Sequence, residues 1–264
     1  MSVYGHGNRR NGRAARGAAF YDLDGTLMGL NLVHGTLFAF TNIGEWSARV
    51  SYVLGLAARL PMLYLAERRD RHLLNVTLFE MFKGISRDRL MTLGEEYCDR
   101  ILLTNMYPRA IEMVAANREA GLEPVLVTGS PDFIVEPLAQ RLGIENYAAN
   151  RLIYSRGLAT GRLHNPVMAG EAKAAWCVEY AGANRISLGA SWGYADSHYD
   201  LPFLAALGHP VAVNPDRRLL AVARSRQWPV VRFDKSAGIR STGGIGPETV
   251  GDWLERRFNG AARG

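Results

Sequence analysis

The chain has 264 residues, of which 48% are apolar and 21% are charged, and its formal net charge is +6. This composition excludes a disordered protein, a collagen-like repeat and a disulfide-stabilised miniprotein, and the length suits either one large α/β domain or a core domain that carries an insert. The cysteines, Cys98 and Cys177, are too far apart for a CxxC motif. We therefore expect a folded protein of a reducing compartment, the cytoplasm.

The first 17 residues contain four arginines, four glycines and no acid. They predict a flexible basic tail at 1–17, with a nucleic-acid or membrane-surface contact as the alternative; we expect no nucleic-acid partner. The apolar run of a secretory signal is missing here. Arg59 and Pro61 interrupt the apolar segment Val50–Ala66, so we expect no transmembrane segment, although a helix lying on a membrane surface stays open.

The remaining elements are predicted in chain order from apolar spacing. Residues 18–22 predict a buried strand that ends in an acid. Region 31–107 has helical spacing and no strand signal, and its clearest helix follows the N-cap Ser86 with an apolar stripe of Leu90, Leu93, Tyr97 and Ile101. The spacing therefore predicts a long helical segment over 31–107.

From Pro108 onward, helices and strands alternate. We expect helices from Pro108 to Gly121 and over 132–142, 171–181 and 201–207, and strands over 124–128, 152–154, 185–195, 211–213 and 229–233. This alternation predicts an α/β core, a parallel sheet between two helical layers, with ligands at the carboxyl ends of its strands. The core would span 18–30 and 108–235, and a glycine-rich linker with a C-terminal helix would occupy 236–264.

An acid pair follows the first predicted strand, in Asp22-Leu-Asp24-Gly-Thr26-Leu. Side chains two residues apart on an extended strand point the same way, so both carboxylates can face one pocket. One carboxylate can attack phosphorus while another supplies a proton to the leaving alcohol. A lone acid could be a helix cap, but the pair favours phosphoryl chemistry.

Two further polar groups suit a phosphate. Thr128-Gly129-Ser130 combines hydroxyls with glycine-rich amides that can donate to phosphate oxygens, although it is also a common turn sequence. Lys173 lies near the start of a predicted helix. It is either a solvated surface residue or a cation that stabilises transferring charge.

A second acid pair, Asp196 and Asp200, follows a later strand. Carboxylates at a strand end suit Mg²⁺, which prefers one or two carboxylates together with water and substrate oxygens. Asp200 is alternatively the N-cap of the helix that begins at Leu201, and both roles are compatible. His198 and Tyr199, within this segment, are candidate substrate contacts together with His34; each histidine is alternatively structural.

The order of these groups resembles the haloacid dehalogenase (HAD) superfamily over the whole chain outside the two ends. The matching positions are Asp22 to Thr26 for the first motif, Thr128 for the second, Lys173 for the third, and Asp196 with Asp200 for the fourth. The insert after the first motif and the phrase Gly-Glu-Ala-Lys173 are similar to the phosphoserine-phosphatase-like branch. The resemblance implies a Rossmann-like, HAD-like core with a helical cap.

The resemblance also implies a phosphomonoester hydrolase that works through an aspartyl-phosphate. Asp22 would attack phosphorus, and Asp24 would protonate the leaving oxygen and later activate water. The phosphate oxygens would be held by Thr128 and the amides of Gly129 and Ser130.

Charge balance in the implied site depends on a lysine and a metal ion. Lys173 would neutralise charge on Asp22 and the phosphoryl group. Mg²⁺ would be held by the Asp22 carboxylate, the Asp24 carbonyl and Asp196, while Asp200 would orient Lys173 or a metal-bound water.

The substrate is less defined than the reaction. Phosphoserine phosphatases carry an acid after the first motif that meets the substrate ammonium, whereas this chain has none between Asp24 and Glu45. Their fourth motif tends to read Gly-Asp-Gly-x-Asn-Asp, where this chain has Ala-Asp-Ser-His-Tyr-Asp at 195–200. We expect a small phosphorylated metabolite; a more apolar phosphomonoester such as a lysophospholipid, or phosphate binding without turnover, is the alternative.

Overall fold

The computed structural model describes residues 17–30, 32–44 and 46–233. The basic tail predicted at 1–17, apart from Gly17, and the linker and C-terminal helix predicted at 236–264 lie outside these residues. Within the described ranges, no helix combines the length and apolar character needed to cross a bilayer.

A six-stranded parallel sheet forms the centre of the core. Its strands are β1 Ala18–Tyr21, β2 Glu123–Pro131, β3 Asn146–Asn150, β6 Trp192–Ala195, β7 His209–Val213 and β8 Val230–Val231. A separate antiparallel pair joins β4 Leu152–Ser155 and β5 Leu158–Leu163. The sheet order is β3-β2-β1-β6-β7-β8, so the chain runs outward on one side of β1 and then crosses to the other.

Helices cover both faces of the sheet and confirm the predicted three-layer α/β core. The helices of the core are α6 Pro108–Glu119, α7 Asp132–Arg141, α8 Glu171–Asn184, α9 Leu201–Ala205 and α10 Arg217–Ser225. Tyr21 of β1 belongs to the apolar cluster of α6 and α7, whereas the adjacent Phe20 belongs to that of α8, α9 and α10. Successive strand residues thus bury opposite faces, as a sheet covered on both sides requires.

The insert after β1 is helical. Its helices are α1 Leu32–Asn42, α2 Trp46–Arg69, α3 Arg71–Glu80, α4 Arg87–Tyr97 and α5 Leu103–Asn105, with a π-helical turn at Cys98–Leu102 between the last two. Ser86 caps α4 as predicted, because its hydroxyl accepts from the Arg89 amide at 3.3 Å. The cap packs on the core through Phe82 and Phe133, whose ring centroids lie 5.6 Å apart.

The β4–β5 hairpin binds the cap through its backbone. The Ala159 amide donates to the Ile85 carbonyl at 2.8 Å, and the Gly84 amide donates to the Ala159 carbonyl at 2.8 Å. The hairpin lies in the segment that the sequence assigned to the core, but it extends to the turn between α3 and α4.

Two predicted elements have different bounds in the structure, and some observed elements were not predicted. Helix α8 continues past Gly182 to Asn184 and ends at Arg185, which adopts a left-handed φ of 57°. The strand predicted over 185–195 is formed only over 192–195, because Leu188–Ala190 is a 3₁₀ turn. Helix α10 was not predicted; Asp216 caps it by accepting from the Leu219 amide at 2.7 Å.

Candidate active site

The predicted acids lie close together between β1 and β6, where the order in which the chain adds strands to the sheet reverses. Asp22 follows β1, and its amide donates to the Tyr194 carbonyl of β6 at 2.9 Å. Asp196 follows β6 directly, and Gly129 lies near the end of the neighbouring β2. The crevice at such a switch point is the usual ligand site of an open parallel α/β sheet.

Lys173 joins the two acid pairs. Its ammonium lies 2.7 Å from Asp22 Oδ1 and 2.8 Å from Asp200 Oδ1, and all three side chains are about 6% exposed. Asp200 occupies the N-cap position of α9, but its carboxylate makes no hydrogen bond to the first amides of that helix. Its oxygen contacts Lys173 instead.

Burial and the charge of the partner group shift the pKa values of Asp22 and Lys173 in opposite directions. Burial raises the pKa of Asp22 to about 6, although Lys173 lowers it, while the nearby Asp200 and Asp24 carboxylates raise it further. Burial alone would lower the pKa of Lys173, but Asp200 and Asp22 outweigh it and raise that pKa above its usual value. Lys173 therefore stays charged, and its positive charge favours the ionised form of Asp22.

Asp24 lies beside Asp22 and is held by a hydroxyl. Ser130 Oγ donates to Asp24 Oδ2 at 2.7 Å. Burial raises the pKa of Asp24, while the Ser130 hydrogen bond opposes the shift. A raised pKa favours the protonated form of the carboxyl group, which proton donation requires.

The Thr128-Gly129-Ser130 segment is arranged differently from the expectation. The Ser130 amide, which we expected to face phosphate, donates to Thr128 Oγ1 at 3.1 Å, and its hydroxyl faces Asp24. Only Gly129 of the three lines the cavity. The pairing register of β2 with β3 shifts between Val127 and Pro131, the stretch that contains this segment, and spacing alone did not reveal the shift.

Asp196 completes an acidic cluster that fits a metal ion. One oxygen each from Asp22, Asp196 and Asp200 lies within 4.8 Å of the others. Asp196 Oδ1 is buried and has no hydrogen-bond partner among the described residues. Burial, followed by the charges of Asp22 and Asp200, raises the pKa of Asp196 well above its usual value. A divalent cation would satisfy the unpartnered oxygen and reverse that shift.

Gly25 allows Asp196 to approach the first motif. A Cβ at this position would lie 2.2 Å from Asp196 Oδ2, and its φ is +80°. Only glycine accommodates both the left-handed backbone and the adjacent carboxylate. The Gly that follows the acid pair is therefore part of the geometry of the site.

Helix α3 of the cap contributes residues that the sequence analysis missed. Arg71 and Asn75 line the same cavity as Asp22, Asp24 and Asp200, and the Arg71 guanidinium carbon lies 6.0 Å from the centroid of the Tyr199 ring. Burial opposes the charge of Arg71, but the carboxylates, led by Asp200 and Asp196, outweigh it and raise its pKa. Asp70, which caps α3 by accepting from the His72 amide, was the available sequence signal.

Of the three candidate substrate contacts, the structure brings only Tyr199 to the cavity. Its hydroxyl is buried without a partner among the described residues. His34 is exposed on α1 and does not line the cavity. His198 does not line the cavity either; its ring faces Asp216, with Nδ1 and Oδ2 2.8 Å apart.

Asn150 and Asp216 position loops of the site, and neither was predicted. Asn150 donates to the Gly129 carbonyl at 2.7 Å and accepts from the Met168 amide at 2.8 Å. Asp216 accepts from the backbone amide of His198 at 2.8 Å. Both residues are distant in sequence from the groups they hold, so no local pattern marks them.

A family model described as haloacid dehalogenase-like hydrolase matches residues 19–205. The chain belongs to this family. The match includes the four motif positions and the whole cap, so the HAD family resemblance noted in the sequence is confirmed.

Similar proteins indicate which branch of the family this chain belongs to. A probable phosphatase of Mycobacterium tuberculosis is 30% identical over 226 residues, which are 86% of this chain and 78% of that protein. A phosphoserine phosphatase of the same organism is 29% identical over 218 residues, 82% of this chain and 70% of that protein. A structure of a Bordetella pertussis protein with unknown function matches 84% of this chain and all of its own, with a TM-score of 0.71 and 25% identity. The chain is a HAD phosphatase of the phosphoserine-phosphatase-like branch, a hydrolase of phosphomonoesters.

Proposed function

We propose that this HAD phosphatase works through an aspartyl-phosphate on Asp22 and requires Mg²⁺. The observation that carries the proposal is the contact between Asp22 and Lys173 at 2.7 Å, with Asp24 beside them and bonded to Ser130. A nucleophile kept anionic by a buried cation, next to a carboxyl group able to carry a proton, is the pairing that two-step phosphoryl transfer needs.

In the first step, an Asp22 oxygen forms a bond to phosphorus while the bond from phosphorus to the leaving oxygen breaks. Asp24, as the acid, gives its proton to that oxygen and the alcohol departs. In the second step, water attacks phosphorus, Asp24 takes a proton from the water, and the bond to Asp22 breaks. Lys173 balances the charge that Asp22 and the phosphoryl group share.

Asp22 and Asp196, with the Asp24 carbonyl, would hold the cation, and a bound Mg²⁺ supplies charge neutralisation of the phosphoryl oxygens. Among the described residues, three carboxylates line the cavity and Asp196 lies close enough to act on Arg71, whereas Lys173 and Arg71 are the cations that line it. A phosphate dianion entering this site would meet an excess of negative charge. This imbalance supports a requirement for a divalent cation.

For the substrate, we propose a small phosphomonoester whose leaving group carries no ammonium. The carboxylates that line the cavity are those of Asp22, Asp24 and Asp200, each with a role in the proposed chemistry. Leu32 and Met168 give the cavity an apolar side, which also favours a more apolar leaving group as a second candidate. Hydrolysis rates for phosphorylated metabolites, phosphoserine and lysophosphatidic acid, compared at equal concentration, separate these classes.

The proposal is tested by hydrolysis of p-nitrophenyl phosphate. We expect turnover with Mg²⁺ that is lost in EDTA and restored by added Mg²⁺. Asp22→Asn should lower kcat by roughly a thousandfold or more, because an amide is a poor nucleophile of the same shape. The matched control is Asp99→Asn, an exposed carboxylate that pairs with Arg141 and should leave kcat unchanged.

Two outcomes would contradict the proposal. Substantial turnover by folded Asp22→Asn would exclude the aspartyl-phosphate, and full activity in EDTA would exclude the metal. Tight binding of inorganic phosphate without turnover of any phosphomonoester would instead identify a phosphate-binding protein.

A further inference from the structure

Asn75 of the cap is a buried polar residue whose side chain lacks a partner within the described part of the chain. It is 4% exposed, and no donor or acceptor of the described residues forms a hydrogen bond with its side-chain amide. An unpaired buried amide is destabilising, so most groups of this kind have a partner. Asn75 lines the cavity of the candidate active site, which points to a partner among the molecules that bind there.

The Asn75 amide lies against the backbone of Gly129, in the segment at the end of β2. A Cβ on Gly129 would be 3.0 Å from Asn75 Nδ2 and 3.6 Å from Asn75 Oδ1. The carbonyl of Gly129 is held by Asn150 through a hydrogen bond of 2.7 Å, which fixes the position of this backbone. The cap therefore presents an amide beside the residue of the segment 128–130 that lines the cavity.

The core segment itself offers fewer hydrogen-bond donors than its sequence predicts. The Ser130 amide donates to Thr128 Oγ1, and the Ser130 hydroxyl donates to Asp24 Oδ2. Both donors are used within the protein, so a phosphoryl group next to Gly129 needs donors from another element. The side-chain amide of asparagine carries two N–H donors and no charge, which suits an anionic oxygen acceptor.

We propose that Asn75 is a phosphate-binding residue supplied by the cap, whose side-chain N–H group donates to a non-bridging oxygen of the phosphoryl group. This inference rests on the proposed transfer of that group to Asp22. Arg71 lies one helical turn before Asn75, so α3 directs a charged and a neutral donor into the same cavity. A phosphoryl group bound to the core would thereby also bind the cap and hold α3 against the core.

The test is isothermal titration calorimetry of the full chain with inorganic phosphate in the presence of Mg²⁺. Inorganic phosphate has no leaving group, so its affinity reports on the phosphoryl contacts alone. Asn75→Leu removes the donors and should weaken phosphate affinity roughly tenfold or more. Asn75→Asp keeps the shape of the side chain and should weaken the affinity further, because its carboxylate repels the anion.

Thr77→Val is the matched control, since Thr77 is a buried polar residue of the same helix that does not line the cavity. It should bind phosphate as the wild type does. Hydrogen exchange of the α3 amides gives a second measurement, which tests the proposal on the wild type even where a substitution at Asn75 destabilises the cap. Saturating phosphate should slow this exchange in the wild type and in Thr77→Val, but much less in Asn75→Leu.

Three results would overturn the inference. They are a phosphate affinity of folded Asn75→Leu equal to that of the wild type, exchange of the wild-type α3 amides that phosphate leaves unchanged, and a raised KM of Asn75→Leu with unchanged phosphate affinity. The last result would assign Asn75 to the leaving group instead. The proposed function is tested separately, because turnover by folded Asp22→Asn contradicts it whatever the phosphate affinity of the Asn75 variants.

Discussion

Asp22 and Asp24, at the end of β1, have different surroundings. Asp22 bonds to a buried ammonium, whereas Asp24 two residues later bonds to a neutral hydroxyl. In the proposed mechanism, the same residue type would serve as an anion in one position and as a proton carrier in the other. Gly25 next to them leaves room for Asp196.

The role of Asp24 predicts a dependence on the leaving group. Asp24→Asn removes the proton donor, so hydrolysis of an alkyl phosphate, whose alkoxide leaves poorly, should fall by about 10²–10⁴-fold. Hydrolysis of p-nitrophenyl phosphate should fall less, because p-nitrophenolate needs no proton to leave. Paired kcat/KM measurements on both substrates check this.

The control for this prediction is Ser130→Ala, which removes the hydrogen bond to Asp24 and keeps the carboxyl group. It should affect both substrates mildly. An equal loss for both leaving groups in Asp24→Asn would contradict the role of Asp24 as the acid.

At the scale of elements, the start of α10 holds the loop after β6. Asp216 caps α10 through the Leu219 amide and also binds the amide and ring of His198, two residues before Asp200. Burial would raise the pKa of Asp216, but these hydrogen bonds outweigh it and lower that pKa. One carboxylate thus joins a helix terminus to the acidic loop of the site.

Two substitutions separate these functions of Asp216. Asp216→Ser should keep the cap, because its hydroxyl can accept from the Leu219 amide, but it should release His198. We expect nearly normal thermal stability and a raised Mg²⁺ concentration for half-maximal activity. Asp216→Ala should also lose about 1–2 kcal/mol of stability with the cap.

Ser86→Ala is the matched control, since it removes the cap of α4 away from the site. It should lower the melting temperature without changing the Mg²⁺ dependence. A Mg²⁺ dependence of Asp216→Ser equal to that of the wild type would show that the His198 contact does not position the metal site.

At the scale of the whole molecule, the cap contributes a cation, Arg71, to the cavity of the core. Arg71 places a cation from the insert opposite carboxylates of the core, where their charges favour its ionised form. An incoming phosphomonoester would meet Lys173 on the core side and Arg71 on the cap side. Cap and core are therefore coupled through charge as well as through apolar packing.

This coupling predicts the effect of Arg71→Gln. Loss of the guanidinium should raise KM for phosphomonoesters roughly tenfold or more, with a smaller change in kcat, since a charged hydrogen bond contributes about 1.5–3 kcal/mol. His72→Gln, an exposed neighbour on the same helix, is the matched control and should leave KM unchanged. A kcat loss without a KM change would place Arg71 in the chemical step instead.

Most of the local structure was predictable because its signals are local. Alternating strands and helices, the Ser86 cap and the acids at strand ends are all properties of short segments. The limits of α8 and the 3₁₀ turn at 188–190 were missed, because packing against neighbouring elements decides where a marginal helix or strand ends.

By itself, the sequence determined the α/β class and the helical insert, and it predicted that the two acid pairs lie close together, since strand ends of a parallel sheet share one edge. Only the tertiary structure decided which other groups reach that edge. It brought in Arg71, Asn150 and Asp216, turned His198 to Asp216, and left His34 exposed on α1. Contacts between distant segments depend on how whole elements pack, and residue spacing along the chain carries no record of that packing.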